Sequence, residues 1–140
     1  MNEPPITTFQ NDDKEFAHAI AEAQRTLDLF IGQLQNPKPA QTYFSVKARF
    51  PTSKGNAEHI WLDNVRYDGS KFSGKIGNTP QSVKNLHLGD PCIIDRENIT
   101  DWMIVEDGRL VGGTTIRLAR SRKSPAERIE FDRHATFRFE

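Results

Sequence analysis

A chain of 140 residues fits one domain and can bury roughly two-thirds of its unfolded surface, so no disulfide or metal staple is required. Nineteen Lys and Arg balance nineteen Asp and Glu, leaving no long-range positive field to gather phosphates or anionic lipid; nucleic acid is a poor default partner. No window approaches the ~20 apolar residues of a membrane span, and a single cysteine, Cys92, excludes an internal disulfide and favours a reducing compartment.

Residues 1–10 carry Glu3, Pro4 and Pro5 and lack both a basic leader and an apolar signal core, so a cytoplasmic protein is expected. An exported protein whose leader has been removed is the alternative. Residues 1–11 read as a flexible lead. From Asp12 to Gln35 the residues Phe16, Ala19, Ile20, Ala23, Leu27, Phe30, Ile31 and Leu34 recur at spacings of three and four, which predicts one amphipathic helix. Asp12 is the expected cap, with Glu15 three residues on as in a capping box. Asn36-Pro37-Lys38-Pro39 stops the helix, since proline lacks the amide hydrogen.

Tyr43 to Phe50 alternates: Phe44, Val46, Ala48 and Phe50 form a core face, while Tyr43, Ser45, Lys47 and Arg49 form a face expected to be wet. Glu58 to Tyr67 reads as a second strand, and Asp68-Gly69 turns it into a third, Lys71 to Ile76, giving a meander. Cys92 to Asp95 is a further strand, in which Cys92 is expected to be a buried structural thiol. Trp102 to Glu106 and Arg109 to Val111 form a hairpin around Asp107-Gly108. After Gly112-Gly113, the pattern of Thr114 to Arg120 fits a short helix or a strand equally. Residues 121–140 form a tail whose apolar residues Ile129, Phe131, Phe137 and Phe139 suggest an added strand or hairpin, or a segment that orders on a partner. The expectation is a single α+β domain over residues 12–120: an N-terminal helix on an antiparallel, strongly twisted sheet or a small SH3-like half-barrel.

Two stretches place a Trp beside ionisable residues in strand-like apolar runs: Glu58-His59-Ile60-Trp61 and Ile99-Thr100-Asp101-Trp102. A charge there is costly unless it is paired, hydrated or used. Glu58, His59, Trp61, Asp101, Trp102 and Arg117 are therefore the candidate binding residues. On an ideal strand Glu58 and His59 diverge, and His59 and Asp63 stand roughly 13 Å apart, which argues against a coupled catalytic pair. Arg117 is the expected partner of Asp101, in a structural bridge or as a substrate clamp. His18, His59, His87 and His134 are scattered without ligand spacing, so neither a metal nor a cofactor is expected. Gly112-Gly113-Thr114-Thr115 becomes an anion-binding nest only if a helix starts there.

These residues resemble the YegJ-like family of small bacterial domains. The resemblance runs from about Ala23 to Leu118. It rests on Ala23-x-Arg25-x-Leu27-x-x-Phe30, Phe44-Ser45-Val46-Lys47-x-x-Phe50, Glu58-His59-Ile60-Trp61-Leu62, Phe72-x-Gly74-x-Ile76-x-Asn78-x-Pro80, Gly89-Asp90, Ile99-x-Asp101-Trp102-Met103 and Gly112-Gly113-x-Thr115-x-Arg117. It implies a bacterial α+β domain, assigns no activity, and places Lys47, Glu58, His59, Trp61, Asp101, Trp102 and Arg117 on the family's polar and aromatic signature.

Small size, balanced charge and the lack of a competent catalytic set point to a non-enzymatic protein-binding module. An immunity protein that occludes a toxin encoded nearby is one such module. A small-ligand binder or enzyme with a pocket built from Glu58, His59, Asp101 and Arg117 is the alternative. Tyr43, Lys47 and Arg49 are candidate partner-binding residues, and in a third reading they join Arg117, Arg120, Arg122 and Lys123 on RNA.

Overall fold

The computed structural model describes residues 13–140, so the flexible lead and the Asp12 cap expected from the sequence lie outside the described residues. Helix α1 (Lys14–Arg25) is capped by Asp13, whose carboxylate accepts the Phe16 N–H at 3.0 Å. Helix α2 (Leu27–Gln35) follows after a break at Thr26. One continuous helix was the expectation, and the break centres on the bonds made by Thr26. The Thr26 hydroxyl bonds back to the Glu22 carbonyl at 2.9 Å, competing with the helical ladder, and it also accepts the indole N–H of Trp102 at 3.0 Å.

The strands are β1 (Gln41–Pro51), β2 (Ala57–Tyr67), β3 (Lys71–Ile76), β4 (Pro91–Asp95), β5 (Ile99–Glu106) and β6 (Arg109–Gly112), with a short 3-10 turn, Arg96–Asn98, before β5. They form one open antiparallel sheet in the order β4-β3-β2-β1-β5-β6. Asp107 and Gly108 both have positive φ, which matches the twist of a tight hairpin between β5 and β6. The undecided segment after the double glycine is helix α3 (Thr114–Ser121), and α4 (Pro125–His134) follows, closed at its start by a Ser124–Glu127 capping box.

Both faces of the central strands are covered. Val46, Ala48, Leu62, Trp102 and Ile104 pack under Leu27, Phe30 and Ile31 of α2, while Trp61, Met103, Val105 and Leu110 pack with Ile116 of α3 and Phe137 of the tail. The face of β1 expected to be wet is therefore largely closed: Ser45 and Lys47 are buried, Tyr43 is half-buried, and only Arg49 is exposed. Alternation in β1 marks two faces, but the cover on the second comes from residues more than sixty positions away.

The tail forms a helix where an added strand or hairpin is expected. Its period-two apolar residues serve different ends: Ile129 is exposed on α4, while Phe137 enters the core. Beyond α4 the chain runs beside β6 in a single parallel bridge. Leu110 N–H donates to the Arg138 carbonyl and Arg138 N–H to the Gly108 carbonyl, both at 2.7 Å. The β6 edge is thus covered, and β4 is the other edge.

A bulge interrupts β2 between Asp63 and Arg66, where Asn64 adopts φ of 52°. Asp63 stays on the Trp61 side, whereas Val65 crosses to the core beneath α2, against the ideal alternation. Among the described residues no helix is long and apolar enough to cross a membrane.

Candidate functional site

Lys47 stands at the centre of the sheet, directly opposite Trp61 on β2 and Asp101 on β5. Its side chain is 2% exposed and Asp101 is fully buried. The Lys47 ammonium donates to the Thr115 hydroxyl at 2.8 Å, and that hydroxyl donates to Asp101 Oδ2 at 2.5 Å. Asp101 also accepts the backbone N–H groups of Thr114 at 3.1 Å and Thr115 at 2.9 Å. These are the orphan donors at the start of α3, whose N-cap, Gly113, has no side chain to offer them. The helix does start at the double glycine, as the anion-nest reading requires, and the anion there is the protein's own carboxylate.

Burial drives the electrostatics of this junction. It lowers the Lys47 ammonium to about 8 against the pull of Asp101, and it raises the Asp101 carboxyl against Lys47, Thr115 and the backbone donors. Lys47 also lies 5.1 Å from the centroid of the Trp61 ring, and the buried Trp61 indole N–H has no acceptor among the described residues.

His59 lies beside this junction. Its Nδ1 is 3.0 Å from the Thr100 hydroxyl and its ring meets Phe16 edge-on at 5.1 Å. Burial, then the positive charges of Lys47 and Arg49, lower its pKa to about 4, which leaves the ring neutral near pH 7.

The other candidates go elsewhere. Arg117 does not pair with Asp101 as expected: its guanidinium bonds the carbonyls of Gly112 at 2.8 Å and Leu110 at 2.7 Å, tying α3 to β6. Glu58 receives the N–H groups of Gln81, Ser82 and Val83 at 2.8–3.1 Å and so anchors the loop between β3 and β4. Trp102 faces away from Asp101, 5.5 Å from Phe30. Tyr43 donates its hydroxyl to Asp63, and burial together with that carboxylate raises the phenol pKa. Lys47, Trp61, Asp101 and, one link away, His59 are brought together, whereas Glu58, Trp102 and Arg117 are not.

The sequence reading missed Thr115, Thr100, Ser45 and Asn78. Ser45 donates to the Leu62 carbonyl at 2.6 Å and Asn78 accepts the Trp61 N–H at 2.7 Å. The Thr115 role was open to inference from the double glycine, since a glycine N-cap leaves helix donors for another residue to satisfy. Ser45 and Asn78 lie within the family motifs and Thr100 within the Ile99–Trp102 run, but their residue types alone assign them no role.

A second feature lies on the β2–β4 wing. Asn64, Arg66, Ser73, Lys75, Cys92 and Ile93 border an open groove of about 900 Å³. Arg66, Ser73 and Ile93 form one cross-strand row, and Asp63, Lys75 and Pro91 the next. Among the described residues Arg66 and Lys75 have no ion-pair or hydrogen-bond partner for their side chains. Ile93 is 70% exposed, so its side chain is left in water at the sheet edge.

The profile of a family described as uncharacterised proteins conserved in bacteria (DUF2314) matches residues 13–139. The chain belongs to this family. The match takes in α4 and the strand-like tail, beyond the Ala23–Leu118 span of the sequence resemblance. Uncharacterized protein YegJ of Escherichia coli (strain K12) is 39% identical over 111 residues, covering 79% of this chain and 71% of the relative. The putative ankyrin repeat protein NMB1133/NMB1171 of Neisseria meningitidis serogroup B is 35% identical over 75 residues. That is 54% of this chain and 30% of the Neisseria protein. No solved structure is detectably similar.

Proposed function

We propose that this chain works by binding another protein, and that the groove on the β2–β4 wing is the surface it uses. One observation carries this reading. The ionisable residues picked out by sequence are mostly spent on helix donors, carbonyls and loop amides, while Arg66, Lys75 and Ile93 stand unspent around one concavity. Two cations beside an exposed aliphatic side chain suit a partner that presents acidic and apolar groups together, with arginine a frequent source of binding energy. The similar segment occurs within a protein named for ankyrin repeats, and that company supports the reading. Occlusion of a toxin by this face, as an immunity protein, is the specific form proposed.

The test is titration calorimetry against the products of adjacent genes, paired with growth rescue when a toxic one is co-expressed. Binding at micromolar affinity or better is expected. Arg66→Glu and Ser73→Trp should weaken it at least tenfold, about 1.4 kcal/mol, with little change in melting temperature. Lack of binding by any neighbour, or affinity indifferent to both substitutions, overturns the proposal.

A further inference from the structure

Among the described residues the backbone of β4 is committed on one side only. Ile76 N–H donates to the Asp90 carbonyl at 2.8 Å, and antiparallel bonding alternates from there, so Cys92 and Ile94 bond inward to β3. Pro91, Ile93 and Asp95 then direct their backbone groups away from the sheet. Pro91 fits this phase, since the N–H it lacks would point outward and no ladder bond is lost. What remains on the edge is the C=O of Pro91, both backbone groups of Ile93 and the N–H of Asp95, whose carbonyl opens the 3-10 turn that follows.

We infer that β4 pairs with β4 of a second copy of this chain, antiparallel about Ile93, to make one continuous sheet across a two-fold axis. In that register Ile93 faces its own counterpart and supplies two backbone bonds. Each Asp95 N–H reaches the other chain's Pro91 carbonyl, which adds two more. The proline opposite Asp95 offers no donor, and none is needed there, because the Asp95 carbonyl is already used by the 3-10 turn.

Side-chain charge selects the same occupant. Asp95, already paired with Lys71, would sit opposite Pro91 of the second chain, with Lys75 of that chain on the next strand, about 10 Å away across two strand spacings and within reach of the two side chains together. The strand best suited to this edge carries an acid opposite Pro91 and an aliphatic residue opposite Ile93, and β4 itself has both. The contact is isologous, so it closes at two copies and does not propagate into a fibre. It uses the strand edge and does not depend on a heterologous partner in the groove.

Two measurements on the full chain test this. Sedimentation equilibrium from low micromolar to near-millimolar concentration should show a monomer–dimer equilibrium. Hydrogen exchange over the same range should show the Ile93 and Asp95 amides slowing by tenfold or more as dimer forms, while Cys92 and Ile94 stay protected throughout. Ile93→Lys, and separately Ile93→Pro, should give folded monomers by circular dichroism and melting temperature. A chain that stays monomeric throughout, a dimer whose Ile93 and Asp95 amides exchange at one rate at every concentration, or a dimer unaffected by Ile93→Lys overturns the inference. Loss of partner binding in Arg66→Glu at dilutions where the chain is monomeric bears on the groove alone.

Discussion

Thr115 is the residue through which Lys47 and Asp101 communicate, and its hydroxyl both accepts and donates. Thr115→Val keeps the shape and removes both bonds, so a loss of about 2–3 kcal/mol in urea unfolding is expected, with Thr115→Ser recovering most of it. Lys47→Met should cost more, about 3–5 kcal/mol, because it strands a buried carboxylate. His59 sets an acid limit of its own. Its pKa is about 4 in the fold against about 6.5 when unfolded. Between those values the unfolded chain holds more protons, so stability rises with pH across that window and is lost as pH falls through it. After allowance for the partial exposure of the ring, the effect is on the order of 1–2 kcal/mol. In thermal melts from pH 7 to pH 4, His59→Asn should lose less stability than the parent by that margin. Asp101 was visible in the sequence as a charge placed where charge is expensive; Lys47 was read on a face expected to be wet, so its burial was not visible. Their mutual pairing was hidden as well, because the pattern offered Arg117, and only the strand register sets Lys47 directly across from Asp101.

At the scale of elements, the turn from β6 into α3 is the most constrained. Gly112 and Gly113 have φ of 75° and 69°, and a Cβ on Gly112 would lie 2.6 Å from the Trp102 ring and 2.7 Å from its carbonyl oxygen. Gly112→Ala combines left-handed strain with a clash against backbone and a buried indole. A loss of at least about 3 kcal/mol is expected in chemical denaturation, with Trp102 fluorescence altered before the transition. The strands were the readily legible part of the sequence, since alternation in Tyr43 to Phe50 and the Asp-Gly turns act locally. The division of the first helix at Thr26 was not, because the bond that holds it there comes from Trp102 on β5. The bulge at Asn64 escaped for a similar reason: nothing within β2 alone marks where its pairing with β3 slips.

For the whole molecule, the decisive feature is that the sheet has a covered face and edge at one end and an open face and edge at the other. The C-terminal segment makes the difference, with Phe137 in the core and Arg138 bridging β6. Phe137→Ala should cost about 3–5 kcal/mol and, by loosening the cover of β6, increase light scattering during thermal unfolding. Sequence patterning pointed to an added strand in the tail, but not to the helix that precedes it. A helix between two apolar clusters breaks the period-two reading, and α4 has no buried residue of its own to announce it.

The depth at which Lys47 is held gives the protein a built-in reporter. An amine-acylating reagent will tag Lys54, Lys75 and Lys84 at the surface, but it meets this one ammonium only when the chain opens globally. Mass spectrometry of the peptide that carries it therefore counts opening events directly, without an added dye or an engineered probe.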